Sequence, residues 1–91
     1  MPTVTRQQDT LTFAGALERA VIAALWPRAL AMLDGVRGFD LAAVNHVDSA
    51  GLALLAELAA RAPGVVIDGT PPGMAELRNA YRLDQGLDFA A

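Results

Sequence analysis

The sequence has 91 residues, 54% of them hydrophobic, and a formal net charge of −3 at pH 7. This length suits one domain over residues 1–91, and the apolar fraction is sufficient for a folded core, which excludes a disordered chain. The acidic balance excludes a basic surface for nucleic acid, and the lack of cysteine excludes disulfides and thiolate metal sites.

The first elements of the chain are two short strands. Residues 3–6 and 10–14 are rich in β-prone side chains and flank a polar turn over 7–9, a pattern typical of a β-hairpin. Gly15 is predicted to end the second strand as a backbone position with an unusual φ.

A helix follows, and Pro27 complicates its start. A proline inside a helix removes a hydrogen bond and clashes with the preceding turn, at a cost of about 3 kcal/mol, whereas in the first turn it costs little. We therefore predict that the regular helix begins near residues 24–26, after a looser lead-in over 18–23. Asp34-Gly35 is predicted to close the helix with a C-terminal glycine.

Residues 36–41 are predicted to form a short central strand, and residues 42–47 the loop that leads into the next helix. That helix is predicted from residue 49 to about residue 62. Asp48 or Ser49 can cap its first turn by accepting a hydrogen bond from a backbone amide.

Ala50 and Gly51 leave the start of this helix almost bare of side chain. Several backbone N–H groups and the positive end of the helix dipole are therefore expected near the surface. Such an end can dock a partner, or it can be a capped helix start whose small residues suit tight packing. Both interpretations stay open at this point.

The same helix carries more apolar surface than a helix that lies on a sheet needs. Its charged residues are Glu57 and Arg61, whose i,i+4 spacing permits a weak ion pair. The remaining apolar flank is covered either by neighbouring elements or by another protein. Trp26, the only tryptophan, is either a core anchor or a contact for such a partner.

The last third of the chain contains a strand and a helix. The β-branched run over 65–67 predicts a strand buried on both faces. A proline-rich turn over 68–73 lacks the glycine spacing and lysine of a phosphate loop. The final helix is predicted over 74–81, and residues 83–91 form a last extended piece or a packed tail. The helix is predicted to place Met74, Leu77 and Tyr81 on one face, while the burial of Tyr81 stays open.

These elements predict an α/β fold with a mixed four- to five-stranded sheet, parallel in the centre and antiparallel at one edge. About three to four helices are packed with this sheet. No leader with an apolar core is visible, and no apolar run is long enough to cross a bilayer. We therefore expect a cytoplasmic protein with no direct membrane insertion.

No catalytic residues, metal site or cofactor are predicted. His46, the single histidine, lies near one carboxylate, whereas a metal site needs three or four ligands. Ser49 with His46 lacks a third group to orient the histidine. Asp40 and Asp48 at strand ends are more typical of turn caps than of an acid–base pair.

The order of elements, with Val-Asp-Ser-Ala-Gly-Leu at residues 47–52, resembles the STAS domain family (sulfate transporter and anti-sigma factor antagonist). Gly-Ala-Leu at 15–17 and Phe-Asp-Leu at 39–41 support the resemblance, although Ala16 stands where the family usually has an acidic residue. The resemblance covers essentially the whole chain and implies a STAS-like single domain without catalytic activity.

Within the family, the sequence is most similar to subunits of phospholipid-transport ABC complexes, which maintain outer-membrane lipid asymmetry. This resemblance implies binding to the ATPase subunit, which works with a permease, and a place peripheral to the inner membrane through that partner. Ser49 is expected to be an interface hydroxyl. Whether the chain forms a homodimer is left open. The predicted partner-binding residues are Asp48, Ser49, Ala50, Gly51, Leu52 and Ala53.

The alternative implied by the family is an anti-sigma factor antagonist that binds an anti-sigma factor. Such proteins carry a phosphorylated Ser or Thr at the position of Ala50. Because alanine has no hydroxyl, that switch is absent here, and Ser49, one position earlier, is only a weak candidate for phosphorylation.

Overall fold

A computed structural model describes residues 2–81, which form a four-stranded sheet with three helices. The strands lie in the order β1-β2-β3-β4; β1 is antiparallel to β2, and the other neighbours are parallel. The predicted mixed sheet with an antiparallel edge is confirmed. No helix within these residues is long and apolar enough to cross a membrane. The elements are β1 (Thr3–Gln7), β2 (Thr10–Leu17), α1 (Arg19–Ala31), β3 (Gly38–Val47), α2 (Ser49–Arg61), β4 (Val66–Asp68) and α3 (Met74–Ala80). The tail predicted over 83–91 lies outside the described residues.

The core lies between the sheet and the helices α1 and α2. Phe13 of β2 and Phe39 of β3 are both fully buried and meet edge to face, with ring centroids 5.8 Å apart. This geometry is favoured by the quadrupoles of aromatic rings. α1 and α2 also pack against each other, so their side chains close the core from above the sheet.

Gly15 has the expected positive φ, at 85°, but it does not end β2, which continues to Leu17. The prediction of a strand end was wrong because the pairing with β3 shifts between Gly15 and Ala16. Such a bulge lets the strand absorb one unusual backbone conformation and continue. The extension carries Leu17 to the start of α2.

β3 is one of the two interior strands, which agrees with the predicted central position, but it spans Gly38–Val47 instead of ending at residue 41. The expected loop over 42–47 is wrong because these residues remain paired with β2. Two register shifts place the buried side chains at Leu41, Val44 and Val47, three residues apart. The period-two alternation that marks a strand in sequence is therefore lost.

α1 begins at Arg19, so the prediction of a start near 24–26 was wrong, and Pro27 lies inside the helix. The helix forms because Leu25 and Ala29 are buried in the core, and this packing outweighs the missing hydrogen bond. α1 also ends earlier than predicted, with Met32 as its C-terminal cap, while Gly35 lies in the following turn with a φ of 78°.

Replacing Pro27 with alanine should stabilise the protein. The Pro27 ring is exposed, so its removal loses little packing, while alanine restores a helical N–H donor and removes the clash with the preceding turn. We expect the free energy of unfolding to rise by about 1–3 kcal/mol, measured by denaturant titration. Pro63→Ala, at an exposed position after α2, is the control. An unchanged or lower stability of P27A would mean that α1 needs the local geometry of proline.

Two further predictions, on β4 and on α3, differ from the structure. β4 is an edge strand among the described strands, and Val66 is 69% exposed, so it is not buried on both faces. Continuous β-branched residues indicate a strand, but they do not distinguish a central strand from an edge. α3 ends at Ala80 and not at Tyr81 as predicted. On the face predicted for Met74, Leu77 and Tyr81, Met74 is buried, whereas Tyr81, whose burial the sequence left open, is 50% exposed.

Candidate functional site

Asp48 is the N-cap of α2, which confirms one of the two residues predicted for that role. Its Oδ1 accepts a hydrogen bond from the Gly51 amide at 2.9 Å. Its Oδ2 accepts a second bond, also at 2.9 Å, from the amide of Arg19, the first residue of α1. The carboxylate therefore lies where the N-terminal ends of the two helices meet.

Two opposing effects act on the pKa of Asp48. Desolvation by the surrounding chain raises it, but hydrogen bonds from the amides of Gly51, Arg19 and Ala50, with the nearby imidazole of His46, outweigh that effect. The pKa of Asp48 therefore lies below its ordinary value.

The lowered pKa predicts how Asp48 contributes to stability as pH changes. A carboxyl group with a lower pKa in the folded chain stabilises it fully above the unfolded-state pKa, near 3.9, and this contribution disappears as pH falls through the folded-state pKa. The difference in unfolding free energy between the wild type and D48N should therefore be constant from about pH 7 to 5 and shrink below about pH 4. Urea titrations across this range measure it. A difference that stays constant to pH 2 would exclude the carboxylate as its source.

His46 belongs to β3 and not to a loop as predicted. Its Nδ1 lies 3.3 Å from Oε2 of Glu18, and both side chains are half exposed. The imidazole is thus directed to Glu18, which gives no support for a nucleophile–base pair with Ser49.

Asp40 and Asp48 do not form an acid–base pair. Asp40 is near the start of β3 and Asp48 directly follows its end, so at roughly 3.3 Å per residue they lie about 26 Å apart. Each carboxylate instead accepts hydrogen bonds from the backbone, and that of Asp40 binds the Ala42 amide at 2.9 Å. Among residues 2–81, no group of His, Asp and Glu side chains could hold a metal ion. The expected absence of a cofactor or metal stays a prediction.

The start of α2 is only partly open. Gly51 is buried, and a Cβ there would overlap the carbonyl oxygen of Leu17 at the end of β2. Leu52 is also buried, Asp48 and Ala50 are half-buried, and Ser49 is exposed. Of the predicted contact residues, Gly51 and Leu52 face the core, so they can contribute to a partner-binding surface only by positioning the exposed residues beside them.

A shallow groove of about 430 Å³ opens between α1 and α2 beside Ser49. Most of its lining is apolar, and the predicted residues Ala50 and Ala53 form part of it. The opposite wall comes from α1, where Trp26 was the one residue that the sequence indicated as a possible contact. The i,i+4 spacing of Ile22 and Trp26 is the signal that could have indicated it. The lining residues are Ile22, Trp26, Ala50, Ala53, Leu54 and Glu57.

Trp26 is half-buried and held in place by neighbouring side chains. The guanidinium of Arg61 lies 5.1 Å from the centre of its ring, a cation–π contact. Arg61 also binds Oε2 of Glu57 at 2.8 Å, which confirms the predicted i,i+4 pair. Trp26 thus serves both as a packing residue between α1 and α2 and as one wall of the groove.

The surplus apolar surface of α2 is mostly covered by the chain itself. All four leucines of the helix are buried against its neighbours, whereas Ala53 is exposed. Within residues 2–81, the apolar surface that α2 leaves exposed beside the groove is therefore narrow and lies on its alanine side, and Ile22 and Trp26 of α1 extend it.

Comparisons with known proteins agree with this architecture. The family model STAS_2, described as "Mlab, STAS domain", matches residues 2–88. The "Intermembrane phospholipid transport system binding protein MlaB" of Escherichia coli (strain K12) and that of Shigella flexneri are each 40% identical over 50 residues. The matched region covers 55% of this chain and 52% of each relative, so the chain spans about half the length of these curated relatives.

A solved structure, that of the anti-sigma factor antagonist SpoIIAA in its unphosphorylated form, shares the fold. It superposes with a TM-score of 0.57 at 16% sequence identity, and the match covers 87% of this chain and 82% of that one. The likeness shows a common STAS fold.

Proposed function

The chain belongs to the STAS domain family described as "Mlab, STAS domain", and from this premise we propose that it is a non-catalytic accessory subunit of an Mla-type phospholipid-transport ABC transporter. Its partner is an MlaF-like ATPase subunit in complex with a permease. The protein supports the assembly or activity of that ATPase, and so maintains outer-membrane lipid asymmetry. It is cytoplasmic and reaches the inner membrane through this partner.

The observation that carries the proposal is the apolar groove between α1 and α2, next to the exposed Ser49. A groove of this kind accepts an apolar side chain from another protein, and a half-buried tryptophan is a frequent centre of binding energy. The names of the two curated relatives, which describe binding proteins of a phospholipid transport system, supply the class of partner.

Ser49 is proposed as the polar contact at the edge of this groove. It is the first residue of α2, and its exposed side chain can donate or accept a hydrogen bond. Asp48 and Gly51 hold the helix end that carries it, through the capping bond and the close contact with Leu17.

The Ser49→Arg variant tests the proposal. A large charged side chain at this exposed position should reduce co-purification of the ATPase subunit about tenfold or more, because it displaces the contact and leaves a desolvated charge. The stability of the chain should change by less than about 1 kcal/mol. Ala60→Arg, at an exposed position of α2 that does not line the groove, should retain binding. Full capture of the ATPase by S49R would argue against the proposed interface.

The second candidate is an anti-sigma factor antagonist, which the shared fold with SpoIIAA favours. In this chain the regulatory hydroxyl at residue 50 is replaced by alanine. Incubation with candidate kinases and mass spectrometry separates the two functions. Stoichiometric phosphate on Ser49, with release of a bound anti-sigma factor, would favour the antagonist, since phosphate adds about −1.5 to −2 charges at the contact.

A further inference from the structure

One carboxylate caps the two helices that form the groove. Asp48 accepts the Gly51 amide of α2 with Oδ1 and the Arg19 amide of α1 with Oδ2, each at 2.9 Å. Within the described chain, Glu18, the N-cap residue of α1, makes no side-chain capping bond. The cap that α1 lacks locally is thus supplied by Asp48, which lies 29 positions after Arg19 in the chain.

We propose that Asp48 is the positioning residue of the groove. Its two oxygens fix the start of α1 relative to the start of α2, and so set the spacing between the two walls. Ile22 lies within one turn of Arg19, while Ala50 and Ala53 lie in the first turns of α2. The carboxylate therefore fixes the position of those parts of the two groove walls that lie nearest to it.

The role requires two acceptor oxygens on one side chain, because each amide meets a different oxygen of Asp48. Ionised Asp presents two acceptor oxygens, whereas Asn presents one acceptor and one donor, and Ser presents a single hydroxyl. Both amides lie in the first turns of their helices and so have no acceptor within the helix, and the dipoles of the two helices also favour a negative charge there. In this geometry, a side chain with a single acceptor oxygen can replace one of the two Asp48 oxygens, and it leaves the other amide without its acceptor.

The first test does not need the partner. In D48N, one of the two amides, Arg19 or Gly51, should lose hydrogen-exchange protection about tenfold or more, while the other keeps it. The emission of Trp26, the sole tryptophan, should also change, because this ring lies between the helices. Unchanged exchange at both amides together with an unchanged Trp26 emission would overturn the inference.

The second test measures docking and rests on the proposed function. D48N should weaken capture of the purified ATPase subunit about tenfold or more. Asp40→Ala is the matched control, because Asp40, near the start of β3, also accepts a hydrogen bond from a backbone amide at 2.9 Å, that of Ala42. This control should leave binding unchanged. Equal losses in the two variants would reduce Asp48 to a general contribution to stability and overturn its positioning role.

The two tests fail separately. If the wild-type chain does not bind the ATPase subunit, the proposed function is wrong, but the exchange at Arg19 and Gly51 still decides whether Asp48 positions the helices. If the wild type binds and D48N binds equally well, the function stands and the positioning inference is wrong.

Discussion

Replacing Gly51 with alanine is expected to destabilise the protein by about 3 kcal/mol or more. A Cβ at this position would overlap the carbonyl oxygen of Leu17 and lie 2.9 Å from both its carbonyl carbon and its Cβ. These atoms belong largely to the backbone of β2 and cannot move aside as a flexible side chain would. α2 must therefore shift away from the sheet, which also disrupts the groove. Denaturant titration of G51A measures the loss.

Gly38→Ala is the matched control for this prediction. A Cβ there would lie 3.5 Å from the Val66 carbonyl oxygen and 3.6 Å from Oγ1 of Thr10, both ordinary contacts. The stability of G38A should thus stay within about 1 kcal/mol of the wild type. If G51A were as stable as G38A, the close approach of α2 to β2 would not be a requirement of the fold.

Replacing Ala53 with arginine is expected to reduce binding of the ATPase subunit by about 100-fold or more. Ala53 is exposed and lines the groove, so the longer side chain would occupy the space proposed for the partner. Closing the interface would then require desolvation of an unpaired guanidinium, which costs several kcal/mol. The fold should survive, because arginine is a good helix former and the position is exposed. Titration calorimetry with the purified ATPase subunit gives the change in affinity.

The control for A53R is again Ala60→Arg, which adds the same charge to an exposed position of α2 outside the groove. A60R should bind the ATPase subunit within about threefold of the wild type, since surface substitutions away from an interface have small effects. Wild-type affinity in A53R would place the interface elsewhere on the molecule. Equal losses in both variants would point to the added charge itself and not to the groove.

Local sequence signals predicted the features whose interacting residues lie within a few positions of each other in the chain. The start of α2 was predicted at Ser49 with Asp48 as a possible cap, and the structure has both. The Glu57–Arg61 pair was predicted for the same reason, since both partners lie one turn apart on one helix. The apolar surplus of α2 could be predicted, but what covers it could not.

Elements that depend on distant partners were predicted less well. α1 extends back to Arg19 in spite of Pro27 because its buried residues meet the core. β3 continues past residue 41 because β2 supplies hydrogen bonds across two register shifts. Neither partner is visible in the local pattern: Pro27 indicates a helix start, and residues 42–47 lack the period-two alternation of a strand.

The sequence by itself determined the α/β order and the mixed sheet, because these follow from local patterns of side chains and capping. Its motif at residues 47–52 carried the resemblance to the STAS family. Only the tertiary structure decided that β4 is an edge, that Gly51 is pressed against Leu17, and that Asp48 holds two helices at once. These features join residues far apart in the chain. Their positions are set by backbone contacts between elements, which leave no periodic signal in the order of amino acids.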